Sequence, residues 1–138
     1  FTHPGDFLII HDWKRPWRIT GNSSVYRFKL GAFPGLMPYF REHFDEIRQK
    51  FRNEQAYLSW FVNEHGTLTY WNDTWCKSYK YHCLQKIPLA YFKPPVKPEG
   101  AKIIIFHGEI NPPDAVNGGG GKWYRYVLPS DWIKEAWQ

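Results

Sequence analysis

"AKIIIFHGEINPPDAVNGGGGKWYRY" occupies residues 101–126. Its first part, "KIIIFH" (102–107), is an unbroken apolar run ending in a histidine. A short continuous run of this kind predicts a strand in the interior of a mostly parallel sheet, covered on both faces. After His107-Gly108 the chain turns into a loop rich in Pro, Asn and Gly, and "KWYRYVL" reads as a last edge strand. Ligands of open α/β sheets gather beyond the carboxyl ends of strands. A neutral imidazole at that place could ligate a divalent metal or act as an acid or base. Spacing alone favours the plainer reading, a strand-end histidine bonded to a turn. Gly108 would allow close approach of backbone or ligand.

The rest of the chain supplies partners for that strand. "DFLIIHDW" (6–13) reads as a short apolar strand. "NSSVYRFKLG" (22–31) alternates, with Tyr26, Phe28 and Leu30 on one face and Val25, Arg27 and Lys29 on the other, which predicts a half-buried strand. Leu36, Phe40, Phe44, Ile47 and Phe51 recur at helical spacing, and Pro38 is tolerable in a first turn. Asn53 can cap a second helix, "EQAYLSWFVNEHG", that ends at Gly66 and turns Tyr57, Leu58, Phe61 and Val62 to the core. "TLTYWNDTWCKSYKYHC" (67–83) reads as one or two short strands, and the proline-rich 87–100 as an extended link. Ser130 can cap a terminal helix. This order of elements predicts an α/β fold with a mixed, mostly parallel sheet flanked by helices.

The 138 residues read as a single domain, 1–138, and a chain of this length buries roughly 68% of its unfolded surface. Eight Trp and 20% aromatic residues exceed what packing needs, so some should meet a flat ligand such as a sugar or a base. A net charge of +5 favours an anionic partner. Cys76 and Cys83 are the only cysteines and read as buried thiols instead of a disulfide framework. No apolar run is long enough to span a membrane, and a cytoplasmic location is expected. "NSS" at Asn22 and "NDT" at Asn72 fit the glycosylation sequon, a short pattern that often arises by chance. "VNGGGGKW" lacks the spacing of a phosphate-binding P-loop and reads as a lid or a hairpin end. Glu54 and Gln55 have two readings, as first-turn residues favoured by the helix dipole or as groups presented to a ligand.

Three stretches in this order resemble the later half of a GT-A-type glycosyltransferase. "GNSSVYRF" resembles the "N-S/T-G-V-M" strand, "NEQAYLSWF" the "D-Q-x-x-L" helix start of glycogenin-like and lipopolysaccharide galactosyltransferase families, and "IIIFHGEINPP" their late strand ending in His. "SYKYHC" followed by "FHG" is similar to a bacterial and phage-associated branch of these enzymes. The resemblance implies the C-terminal, acceptor-side portion of a metal-dependent sugar-nucleotide glycosyltransferase. Its partners would be a nucleotide-sugar donor and a carbohydrate or glycoconjugate acceptor.

The resemblance also implies roles. Asn22, with Ser23 beside it, would hold the donor sugar or ribose. Glu54 would stand near the transferred sugar, and Gln55 would bond a sugar hydroxyl or position the reacting carbon. His107 would ligate Mn²⁺, the ion that neutralises the leaving diphosphate. Gly108 and Asn111 would line the same site. Asn111 falls where the family carries a diphosphate-binding lysine, and Lys122 beyond the loop is a substitute. No Asp-x-Asp occurs in the chain, so the remaining metal ligands and a nucleotide-binding βαβ part are expected upstream. The chain would then be inactive alone, and exposed apolar surface leaves a homodimer open. The competing expectation is a non-catalytic module whose exposed aromatic residues stack on carbohydrate or nucleic acid.

Overall fold

The structure, a computed structural model, describes residues 2–119 and 126–137. The chain divides into two compact units, Phe1–Asp73 and Thr74–Gln138.

The first unit is built on β1 (Phe7–His11), whose Phe7, Leu8, Ile9 and Ile10 are all buried. β1 lies between two partners: β2 (Gly21–Phe28) runs antiparallel to it and β3 (Leu68–Tyr70) parallel. The helical segment from Leu36 is not one helix but two, α1 (Leu36–Glu42) and α2 (Phe44–Lys50). They part at His43, whose ring turns back to the Tyr39 carbonyl (3.2 Å) and stacks on the Tyr39 ring at 4.2 Å. Pro38 does fall in the first turn of α1.

α3 (Glu54–His65) follows as predicted, with the Asn53 side chain accepting from Ala56 N–H at 3.2 Å and Gly66 ending it. Glycine at 66 leaves room for Phe33, since a Cβ there would come within 2.9 Å of the Phe33 ring. α3 buries Tyr57, Phe61 and Val62, and Leu58 is half-buried; Val62 packs with Phe7 and Ile9, Phe61 with Ile47.

β2 alternates as expected, but its exposure is the reverse of the pattern's simplest reading. Tyr26 and Phe28 lie about half exposed, and Val25 and Arg27 are the more covered side chains. The strand stops at Phe28, and Leu30 stands in solvent beside the turn glycine Gly31.

Among the described residues the second unit pairs two strands, β4 (Cys76–Ser78) and β5 (Ile103–Ile105), in parallel. A π-helical turn (Tyr79–Cys83) follows β4 directly, and a 3-10 turn (Leu89–Tyr91) interrupts the proline-rich segment. α4 (Pro112–Asn117) and α5 (Asp131–Ala136) complete the unit. Its core gathers Tyr79, Cys83, Ile110, Ala115, Val127 and Ile133, with Ile104 and Phe106 packed against it. Cys76 and Cys83 are buried thiols, and burial pushes Cys83 up to about 12.

The expected sheet is therefore corrected. Its architecture is mixed α/β, with a three-stranded mixed sheet in one unit and a parallel pair in the other. The strand covered on both faces is β1, not β5. Among the described residues β5 pairs with β4 alone, and Ile103 and Ile104 are only half-buried. An apolar run signals coverage of both faces but carries no information about the number of neighbours. The expected edge strand over 122–128 falls largely outside the described residues; within them, Gly119 and Val127 form an antiparallel bridge.

Candidate functional site

β4 and β5 run parallel, so their carboxyl ends open at the same place, with Ser78 on one and His107 just past the other. After β4, the π-helical turn anchors its two ends in the core. Tyr79 stacks on Phe106 at 4.5 Å, and its hydroxyl lies 3.3 Å from Ser130 Oγ; burial raises the phenol to about 12. Cys83 is buried at the other end. Between these anchors Lys80 and Tyr81 are left to face a cavity of about 570 Å³ that also takes in Lys86, His107, Glu109 and Tyr126.

Gly108 has φ +88°, a conformation that favours glycine, and the nearest atom a Cβ there would meet is Lys80 Nζ at 4.0 Å. The Lys80 ammonium thus stands beside the glycine turn that follows His107. His107 Nε2 lies 2.7 Å from Ser78 Oγ, and its ring is 5.2 Å from that of Tyr81. Ser78 is fully buried and also receives the Tyr81 N–H on its hydroxyl oxygen at 3.3 Å. Its own N–H donates to His82 Nδ1 at 3.0 Å. The same Nδ1 lies 3.2 Å from the Ser78 carbonyl; burial, then the Lys77 charge, lower the His82 pKa, and the hydrogen bond to Ser78 offsets part of that.

Asn111 is exposed and begins α4, where its N–H donates to Asp114 Oδ2 at 2.9 Å; starting that helix accounts for it. Lys122 lies outside the described residues. The positive charge beside His107 comes from Lys80, which sequence reasoning passed over. The available signal was a lysine between two aromatic residues immediately after a strand end, in "SYKY".

The other predicted residues meet in the first unit. Between Ile9 and Ile10 the partner in β2 jumps from Tyr26 to Asn22, leaving Ser23, Ser24 and Val25 outside the ladder. Such a bulge re-aims side chains and frees backbone groups. The start of α3 meets them: Ser23 N–H donates to Gln55 Oε1 at 3.3 Å, and Ser23 Oγ to Glu54 Oε1 at 2.9 Å. Trp71 Nε1 donates to the Val25 carbonyl at 3.3 Å, and Asn22 Oδ1 accepts from Ser24 N–H at 2.9 Å. Lower in the same contact, buried Ser59 accepts the Gly21 N–H at 2.9 Å. Ser23, Glu54 and Gln55 thus form one polar cluster with Asn22 at its edge, and His107, Gly108 and Lys80 form another in the second unit.

Among the described residues no three of His, Cys, Asp and Glu gather as a metal site. No described helix is long and apolar enough to cross a membrane. No family model, curated protein or solved structure matches the chain.

Proposed function

We propose that the chain is the C-terminal, acceptor-side portion of a sugar-nucleotide-dependent glycosyltransferase, and that the cavity beyond β4 and β5 receives the anionic part of the donor. One observation carries this reading: Lys80 Nζ stands over the Gly108 turn beside His107, at the shared carboxyl ends of two parallel strands. Phosphoryl oxygens need fixed positive charge and donors aimed at where negative charge grows as the sugar leaves. Lys80 supplies the charge, Lys86 adds to it at the cavity wall, and Gly108 keeps the backbone approachable. Mn²⁺, implied by the resemblance, would neutralise the same diphosphate and would draw its remaining ligands from outside the described residues. The resemblance gives Glu54 and Gln55, which bond Ser23 in the first unit, a role toward a sugar, and the acceptor is a carbohydrate or glycoconjugate in the cytoplasm.

Calorimetric titration of the chain with UDP, GDP and UDP-sugars, with and without Mn²⁺, tests the reading. A charge pair at about 4 Å is worth roughly 1 kcal/mol in water and more where water is thinned. Lys80→Met should therefore weaken nucleotide diphosphate binding about tenfold. Unchanged affinity in that variant, or binding of free oligosaccharide in place of nucleotides, would sink the proposal.

A further inference from the structure

Eight tryptophans exceed what packing needs, and the fold shows which are left over. Among the described tryptophans only Trp17 and Trp137 stand exposed, at 76% and 62%. Trp137 lies between Ala136 and Gln138, whereas Trp17 lies in "RPWR", bracketed by Arg15 and Arg18.

The segment that carries Trp17 is held at both ends. It leaves the carboxyl end of β1, on the side where the parallel β3 also ends, the place where ligands of such sheets gather. There the His11 ring stacks on that of Tyr70 at 4.2 Å. Asp12 starts the segment: its Oδ1 accepts the Lys14 N–H at 2.9 Å and its carbonyl the Arg15 N–H at 3.3 Å. Arg18 N–H then donates to the Arg15 carbonyl at 2.9 Å, closing a turn with Pro16 and Trp17 at its corners; proline suits the first corner. The Tyr70 hydroxyl donates to the Ile19 carbonyl at 2.6 Å and ties the chain back to the sheet before β2. Closing the turn brings the Cα atoms of Arg15 and Arg18 within about 7 Å of each other. Both side chains are exposed, and among the described residues no carboxylate pairs with either. One anchored turn thus presents a flat ring and two guanidiniums without carboxylate partners.

We propose that this turn is a stacking site for single-stranded nucleic acid, in which a base lies on the Trp17 ring and the neighbouring phosphates meet Arg15 and Arg18. Every base has a π-face, so ring stacking tolerates any sequence, and the guanidinium fork matches phosphate oxygens. The order charge, ring, charge along the turn repeats the order phosphate, base, phosphate along a strand. A neutral sugar would use the ring and leave both charges idle. In a duplex the base faces are stacked on each other, so Trp17 would find only backbone. The site lies wholly in the first unit and does not depend on the donor-site reading of the second.

Fluorescence anisotropy of a labelled oligodeoxythymidine of about twelve nucleotides, titrated with the full chain across a range of salt, tests the proposal. Trp17→Ala should weaken binding about tenfold and leave the salt slope unchanged. Arg15→Gln combined with Arg18→Gln should flatten the slope of log K against log salt by about 1.4, two phosphates at about 0.7 each. A strand of abasic residues should bind wild type about as weakly as the thymidine strand binds Trp17→Ala, and Trp17→Ala should cost it nothing more. All three positions are exposed, where substitution leaves the fold in place. A wild-type chain that ignores the strand at low salt, or a Trp17→Ala protein of wild-type affinity, would overturn the proposal. So would a matched duplex bound as tightly as the single strand. A loss caused by Lys80→Met instead would move the strand to the second unit's cavity, and phosphatidylserine vesicles bound through Trp17 while the strand is not would make the turn a membrane contact; either result overturns the nucleic-acid site at Trp17.

Discussion

Gly108→Ala isolates the turn that brings His107 and Lys80 together. At φ +88° an L-residue pays a backbone cost of about 1–2 kcal/mol. Among the described residues the new methyl would find only Lys80 Nζ, at 4.0 Å, so no clash with them adds to that cost. Gly31→Ala is the matched control, with φ +79° and no atom within 4 Å, in the other unit. Each variant should lose about 1–2 kcal/mol in urea unfolding followed by tryptophan fluorescence, a midpoint fall of roughly 0.5–1 M. Their binding should separate. The methyl at 108 stands where an anion would approach the backbone beneath Lys80, so pyrophosphate affinity should fall about tenfold, while Gly31→Ala leaves it untouched. A Gly108→Ala protein within about 0.5 kcal/mol of wild type would refute the backbone argument. Equal affinities in the two variants would refute the claim that Gly108 lies in the ligand's path.

Further outcomes follow from single contacts. Ser59→Ala strands the buried Gly21 N–H and should cost about 1–3 kcal/mol of stability by urea titration. Asn53→Ala removes the cap of α3 and should cost about 1 kcal/mol in the same assay. Gly21→Ala should be worse than either, because its Cβ would sit 2.5 Å from Ile9 Cγ2 and 2.9 Å from the Ile10 carbonyl; circular dichroism should show a lowered melting point or no folded protein. His82 is held below its ordinary pKa, so below about pH 6.5 the unfolded chain takes up a proton that the folded chain resists, and stability falls with pH. His82→Gln should flatten that acid limb; a limb of unchanged slope would remove His82 as its source.

α3 was legible almost to the residue, because its signals are local: a capping Asn53, apolar spacing of three and four, and a terminal Gly66. The same spacing continued through His43 in the preceding segment, where the backbone leaves helical geometry and α1 and α2 part, which periodicity does not register. "FLII" and "KIIIF" look alike in sequence, yet one is central and the other half of a pair, since neighbour count is a long-range property. Asn22, Glu54 and Gln55 were picked out separately; the bulge in β2 that brings Ser23 to the α3 start is a register event between strands. Lys80 escaped for a related reason. Its importance comes from lying across from Gly108, twenty-eight residues away in sequence (108 − 80), and the π-helical turn that aims it depends on burying Tyr79 and Cys83.

The two thiols have a practical meaning for chemistry on this chain. Both are buried, and burial raises Cys76 and takes Cys83 to about 12, so little thiolate is present at neutral pH for a maleimide or iodoacetamide to attack. The native protein is close to silent toward such reagents without any cysteine being removed. One cysteine introduced at an exposed cavity position, Lys86→Cys, would then be the reactive handle for a fluorophore or spin label. Occupancy of the cavity could be read from that reporter in an otherwise unaltered chain.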